Sequence, residues 1–365
     1  MSTLNVELSI LIITHNQLSL LKRCLKSVLV QKINVPFEII VSDDRSTDGT
    51  LEYMTLLSKN DNVKNIPNLI EIVYTRCNSN DCNPANVSDR CGWNKLNAYK
   101  HASGTYFVNI DADDYLRSDD IYQRQLDMLV THPECSMCMQ DVWQIRDGED
   151  IAKGYRWPSF NKLNEGQILS AKDIVFHYRA LNQCYMIRRH PEFDVANYYG
   201  RYFDDTIITF HHLQYGSCVW IDRADYVWVK YKYSITGTLE ADDELVTCSL
   251  LPLHHIRFIP KFAGLFMQEA IPSFVHFYKA LCNKSFRLNL SERSLVECSR
   301  NNGFIYERLC NGFSLCDKFK IYFIRIILLF MNKFHFTSSF LLRYIYTLNA
   351  YSNTELLTKC DWDIR

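Results

Sequence analysis

The sequence has no apolar run long enough to cross a bilayer. A spanning helix needs about 20 such residues. The central apolar run of the C-terminal third, Ile326–Met331, is stopped by Arg325 and Asn332. No secretion signal is expected either, since Met1–Glu7 is polar and Leu8–Ile13 is far too short for a signal core. Net charge is only −1 over 365 residues. No global field therefore draws the chain to nucleic acid, and any pull toward anionic lipid is local. Tight cysteine pairs are scarce as well. Among 14 cysteines, Cys135-x-x-Cys138 is the one such pair, beside a looser set at Cys77, Cys82 and Cys91. A structural zinc site usually shows two tight pairs. Without a signal core, reduced thiols in a cytoplasmic protein are expected. Neither Gly-x-Gly-x-x-Gly nor a Walker loop occurs, which argues against a dinucleotide dehydrogenase and a P-loop ATPase.

What is present is the composition of a folded protein, 47% hydrophobic and 22% charged. Leu8–Ile13 is a near-continuous apolar run, as in a parallel strand covered on both faces. It ends in Thr14–His15–Asn16. Leu18–Val30 has helical spacing, with Leu18, Leu21, Leu25, Val28 and Leu29 on one face. Phe37–Val41 reads as a second strand, Thr50–Ser58 as a helix and Leu69–Tyr74 as a third strand. This β-α-β-α-β order, with polar loops at strand ends, predicts a doubly wound sheet with a nucleotide-type site.

Farther on, Arg76–Gly92 reads as an irregular loop and Asn94–Ser103 as a helix. Ile121–Thr131 is a further helix, Cys135–Val142 and Trp143–Ile145 are strands, and Asp147–Gln167 is a flexible stretch. Ala171–Tyr178 is a short helix and Gln183–Arg188 a strand. Gly200–Thr206 opens a helix over Ile207–Gln214, and strands follow at Ser217–Trp220 and Tyr226–Tyr233.

The chain is organised around Gly104–Tyr115, GTYFVNIDADDY. Its apolar run drives into Asp111, Asp113 and Asp114. Carboxylates crowded at a strand end repel one another unless a cation sits among them. Either a divalent metal site or an acidic, solvated turn accounts for the stretch. Two further acids, Asp204 and Asp205, stand at a helix start, where the macrodipole alone favours them by about 0.3–1 kcal/mol each.

Four blocks occur in one order: Ile13–Asn16; Val41–Thr50, VSDDRSTDGT; Ala102–Tyr106 leading to Asp111–Asp114; and Phe203–Asp205. Together they resemble the family-2 inverting glycosyltransferases of the GT-A fold, over about residues 7–240. The resemblance implies an α/β fold: a doubly wound mixed sheet as catalytic domain at 1–243, with a helical C-terminal extension at 244–365. The nucleotide-sugar half would be about 1–115 and the acceptor half about 116–243. It implies a nucleotide-sugar donor, of UDP or dTDP type, and a saccharide or glycolipid acceptor, as in bacterial O-antigen or capsule assembly.

Residue by residue, the resemblance lays Thr14, His15 and Asn16 against the nucleotide. It sets Asp44, with Asp43, near the base and ribose. Asp111 and Asp113 become the Asp-x-Asp motif on the ribose and on Mg2+ or Mn2+. Lys95 comes near the diphosphate, and Asp205 is the catalytic base with Asp204 in the neighbouring Glu position. The chain departs from the family pattern at three places. Arg45 replaces the Gly after the Asp-Asp pair, Leu96 and Ala98 stand where the family has an Asn two residues before a Gly, and Lys232–Tyr233–Ser234 replaces a basic-His ending. A nucleotidyltransferase and an inactive nucleotide- or glycan-binding module are the alternatives. The first would normally show a Gly-rich basic loop after the first strand, and the second would dispense with Asp205.

The C-terminal third changes character, with helices expected at Phe258–Ile271, Phe274–Cys282 and Leu295–Asn301. Residues 318–350 combine a wide aromatic and apolar face with a thin basic stripe at Lys318, Arg325, Lys333 and Arg343. Such a helix suits a membrane interface. A buried cover or a homodimer contact is the other reading.

Overall fold

The computed structural model describes residues 5–77, 87–157, 163–176, 184–198, 203, 205–231 and 259–262. The chain divides into two compact units, Met1–Gly237 and Thr238–Arg365. The elements that position the site belong to the first. The segment expected to be a membrane-interface helix, 318–350, and the expected helices Phe274–Cys282 and Leu295–Asn301 lie outside the described residues, as does Asp204. Of the expected helix Phe258–Ile271 only residues 259–262 are described, with a 3-10 turn at Pro260–Phe262.

Chain order begins β1 (Leu8–Thr14), α1 (Leu18–Leu29), β2 (Phe37–Asp43), α2 (Thr50–Leu57), α3 (Asp61–Lys64), β3 (Leu69–Arg76), α4 (Val87–His101) and β4 (Tyr106–Asp111). It continues with β5 (Tyr115–Leu116), α5 (Ile121–Thr131), β6 (Cys135–Met139), β7 (Val142–Arg146), β8 (Tyr155–Trp157) and β9 (Ile168–Leu169). Then come α6 (Ala171–Phe176), β10 (Tyr185–Arg188), α7 (Asp205–Leu213), β11 (Ser217–Trp220) and β12 (Tyr226–Lys230).

Eight strands form one mixed sheet in the order β3-β2-β1-β4-β10-β6-β11-β9. β1 is buried along its whole length, as its unbroken apolar run requires. It pairs in parallel with β2 on one side and β4 on the other. The register sets Thr14 beside Asp43, Ile13 beside Asp111 and Asp43 beside Arg76. The polar residues that end four strands therefore stand level at one carboxyl edge. Because β1 sends the chain to β2 on one side and receives β4 on the other, that edge is a topological switch point, where open α/β sheets bind ligands. Helix α1 covers one face of the sheet with Leu21, Cys24, Leu25 and Val28.

Gly104 is required by close approach. A Cβ there would lie 2.7 Å from the Ser9 backbone nitrogen and 2.8 Å from its Oγ. The room is taken by a buried network in which the Glu38 carboxylate accepts from Ser9 Oγ (2.6 Å) and the Ser103 N–H (2.7 Å), while Ser9 Oγ accepts from the Gly104 N–H (2.8 Å).

A second sheet, in the order β5-β12-β7-β8, carries Trp143, Trp157 and Trp228. The expected strand Cys135–Val142 is interrupted at Gln140–Asp141, and its two parts join different sheets. Both corner residues are buried. Asp141 pairs with Arg156, and Gln140 Oε1 accepts from the Asp225 N–H at 3.2 Å. These partners satisfy polar groups that would otherwise be costly to bury. Two other expectations change. Helix α4 begins at Val87, inside the stretch read as irregular. The stretch read as flexible contains the strand β8 and a 3-10 turn at Ile151–Lys153. Cys135 and Cys138 are both buried in β6, and burial pushes both thiols up, that of Cys135 to about 11.

Candidate active site

The carboxyl edge of the large sheet gathers Thr14, His15, Asn16, Asp43, Asp44, Asp111, Asp113 and Asp114 at the ends of β1, β2 and β4, while Ala102–Tyr106 enters β4 at the opposite edge, beside Leu8 and Ser9. At the end of β1, the Thr14 carbonyl accepts from the Asp44 N–H and from Asn94 Nδ2, both at 3.0 Å. His15 Nδ1 donates to the Asp44 carbonyl at 2.6 Å. Asn16 takes a left-handed conformation at φ 50°, which Asn tolerates better than most residues. There its Oδ1 accepts from the Thr47 N–H at 2.8 Å.

The two acids ending β2 have different surroundings. Asp43 is fully buried and accepts from the Ser46 N–H at 3.0 Å and from the Tyr74 hydroxyl at 2.6 Å, with Arg76 Nε 3.5 Å away. Burial first, and then this bond to Asp43, hold the Tyr74 phenol above its ordinary range. Asp44 is flanked by two guanidinium groups, with Arg45 Nη2 and Arg90 Nε at 3.0 Å each, and His15 Nδ1 lies 3.7 Å away. The rest of the block is scaffold. Asp48 accepts from the Leu18 N–H at 2.8 Å and the Thr50 hydroxyl at 2.6 Å, tying the starts of α1 and α2 together. Gly49 supplies the φ of 92° that the turn into α2 needs. Arg45, where the family has Gly, is itself at φ 57°.

At the end of β4, one oxygen from each of Asp111, Asp113 and Asp114 lies within 4.8 Å of the others. Asp114 is the buried member. Its two oxygens accept from the Val229 N–H at 2.9 Å and the Tyr226 hydroxyl at 3.1 Å, so it ties the loop to β12. Asp113 is pushed up to about 6 by burial and by the charge of Asp111. Its backbone carbonyl accepts from Arg23 Nη2, which also donates to the Tyr231 hydroxyl at 2.8 Å. Asp111 and Asp113 are all-oxygen, crowded and mutually repelling. That is the chemistry a hard dication with one or two protein carboxylates requires. The residues present therefore fit Mg2+ or Mn2+.

Asp205 opens α7 and pairs with Lys95 Nζ from α4. The Lys95 ammonium is mostly buried. Burial alone would lower its pKa, but the charges of Asp205 and Asp111 and the bond to Asp205 outweigh it and hold it above the ordinary lysine range. Lys95 thus couples the Asp-x-Asp motif to Asp205. Behind Asp205, His211 and His212 are buried in an aromatic cluster with Phe193, Tyr198 and Phe107.

Sequence reasoning did not single out Arg90, Arg23 or Asn94 as site residues. Arg90 lay in the stretch that reads as loop, so its charge carried no address. Arg23 belonged to the polar face of an amphipathic helix, where cations are ordinary. Asn94 is buried and bridges the ends of β1 and β2, donating to the Thr14 carbonyl at 3.0 Å and the Ser42 carbonyl at 3.2 Å. A polar residue opening a helical pattern gave no sign of that.

Comparison with known proteins agrees with this geometry. The model of glycosyl transferase family 2 matches residues 9–183. Chondroitin synthase of Pasteurella multocida (strain Pm70) is 27% identical over 172 residues, covering 47% of this chain and 15% of that protein. Hyaluronan synthase of Pasteurella multocida matches with the same identity and coverage. The chain thus spans only a small part of the length of these curated relatives. Among solved structures, S. aureus TarS 1-349 in complex with UDP-GlcNAc has a TM-score of 0.52 at 15% identity, covering 80% of this chain and 78% of that one. That likeness shows the shared GT-A fold. With the family model matching residues 9–183, from β1 to α6, and the acidic strand ends in place, this part of the chain is similar to glycosyl transferase family 2, and its fold is that of the GT-A glycosyltransferases.

Proposed function

We propose that this chain transfers a sugar, with inversion, from a pyrimidine nucleotide diphosphate donor (UDP or dTDP) to a saccharide acceptor, using Mg2+ or Mn2+. A lipid-linked glycan of bacterial surface polysaccharide assembly is the acceptor class proposed. The observation that carries the reading is the convergence of Asp111, Asp113, Lys95 and Asp205 at one carboxyl edge. The pyrimidine donor draws support from TarS, which has been crystallised with UDP and with UDP-GlcNAc.

In this reading the loop Thr14–Asn16 and Asp44 with its two arginines, Arg45 and Arg90, face the nucleoside. Asp43 props that loop from below, since its oxygens are engaged by Ser46 and Tyr74. Asp111 and Asp113 would hold the dication, which supplies charge stabilisation for the departing diphosphate. Asp205 takes the proton of the acceptor hydroxyl as its oxygen bonds to the anomeric carbon. The nucleoside diphosphate leaves from the opposite face, so the centre inverts and no covalent nucleophile on the protein is needed.

Donor turnover with Mn2+ tests this. Hydrolysis or transfer from a nucleotide sugar is expected for the parent chain. In Asp205→Asn the rate should fall by about 10²–10⁴-fold, the usual worth of a positioned base. Equal turnover by both proteins would remove Asp205 from the mechanism. Nucleotide binding with no turnover in either would make the chain a binding module.

A further inference from the structure

Lys95 and Asp205 lie 110 positions apart in sequence and meet as a hydrogen-bonded ion pair. The partners are unequally placed: the Lys95 side chain is 14% exposed and that of Asp205 is 40% exposed. An ammonium so covered is expensive unless negative charge surrounds it, and here Asp205 and Asp111 supply that charge. Lys95 is therefore paired with the carboxylate suited to accept the acceptor's proton and is attracted as well by a carboxylate suited to a metal. In this arrangement one Asp205 oxygen is already engaged by the Lys95 ammonium in a charge-assisted bond and is not available to an acceptor hydroxyl.

We propose that Lys95 is a transferable counter-ion: it neutralises Asp205 until a donor binds, then re-aims at the donor's diphosphate and releases Asp205 for the acceptor. This rests on the glycosyltransferase reading and adds an order to it, donor before base. A diphosphate carries more charge than one carboxylate and competes well for a single ammonium. Lysine is suited to the move, being a compact point charge on a flexible four-carbon stem. No bond is made or broken in the switch itself. The only proton transfer is the later one, from acceptor hydroxyl to Asp205. A chain that lacks a donor would thus keep its base occupied.

The test is calorimetric titration of the full chain with UDP and with GDP, each with Mn2+. The forms compared are the parent, Asp205→Asn, Lys95→Met, the double variant, and Lys95→Arg with and without Asp205→Asn. If Asp205 and the diphosphate compete for Lys95, Asp205→Asn binds nucleotide more tightly, by about fivefold or more. Lys95→Met binds more weakly, by about tenfold or more, as expected on losing a charged hydrogen bond. Adding Asp205→Asn to Lys95→Met then gives no gain, while adding it to Lys95→Arg still does. Unchanged affinity in Asp205→Asn would make the pair a fixed brace and overturn the proposal. A gain that persists in the Lys95→Met background would reduce the effect to simple repulsion and overturn it equally. Failure of both nucleotides to bind any form would overturn the donor reading as well. Rescue by Lys95→Arg separates charge transfer from a folding defect in Lys95→Met.

Discussion

Several residues here carry a conformation or a contact that little else could supply. Gly104 ends the approach to β4 with its Cα against the Ser9 backbone, and an added methyl would sit 2.7 Å from the Ser9 nitrogen. Neither backbone nor the buried Ser9–Glu38–Ser103 network can easily give way. Gly104→Ala should therefore cost about 1–3 kcal/mol, the usual range for overpacking, read as a lower urea midpoint with unchanged m-value. The family resemblance hangs on such residues. Asp48 and Gly49 are recognisable in sequence because their jobs are local: one caps helix starts and the other supplies a positive φ. Arg45 breaks the pattern yet occupies the left-handed backbone position itself. The strain, of order 1–2 kcal/mol, is offset in part by its guanidinium on Asp44.

At the scale of elements, β1, β2 and β4 were legible because each is an apolar run between turn residues, and burial on both faces demands such runs. The shortest strands, β5, β8 and β9, were not, since two or three residues acquire strand geometry only from distant partners. The break between β6 and β7 was hidden for a related reason: Asp141 is held by Arg156, and no local signal announces that pair. Helix α7 carries its own testable property. Burial pushes His212 down to about 3; its bond to the Ile208 carbonyl opposes this, and the smaller effects of His211, His190 and Arg189 add to the lowering. A neutral, buried His contributes full stability above its unfolded pKa, about 6.5. That contribution is lost as pH falls from there toward 3, because the unfolded chain takes up the proton first. His211, pushed down to about 4 by burial, adds to the same limb. His212→Phe, which keeps a ring in the aromatic cluster, should flatten the acid limb of the stability–pH curve. The expected slope change is up to about 1.4 kcal/mol per pH unit between pH 6.5 and 4. Equal slopes in urea titrations at pH 4, 5, 6 and 7 would contradict it.

For the whole molecule, the register of three parallel strands decides where chemistry happens. Pairing sets Thr14 beside Asp43 and Asp111 beside Ile13, so residues almost a hundred positions apart in sequence end at one carboxyl edge. The sequence showed the acids but not their company, because Arg90, Arg23 and the Lys95–Asp205 contact arise from helices brought in by the fold. Binding should follow the same logic. Asp113→Asn is expected to lose most of the Mn2+-dependent part of nucleoside diphosphate affinity, about tenfold or more, while leaving metal-free binding nearly unchanged. Chelation of the cation should reduce the parent to the same level in calorimetry. Among the described residues no helix is long and apolar enough to cross a membrane.

The claim on which these points depend is that the carboxyl edge holds a nucleotide sugar through a dication. It is tested most directly by a thermal-shift screen of nucleotide sugars against the full chain, with and without Mn2+. A UDP or dTDP sugar should raise the melting temperature only when the cation is present, and Asp113→Asn should abolish the rise. No shift from any nucleotide sugar with either Mn2+ or Mg2+, in a chain that melts cooperatively, would contradict it.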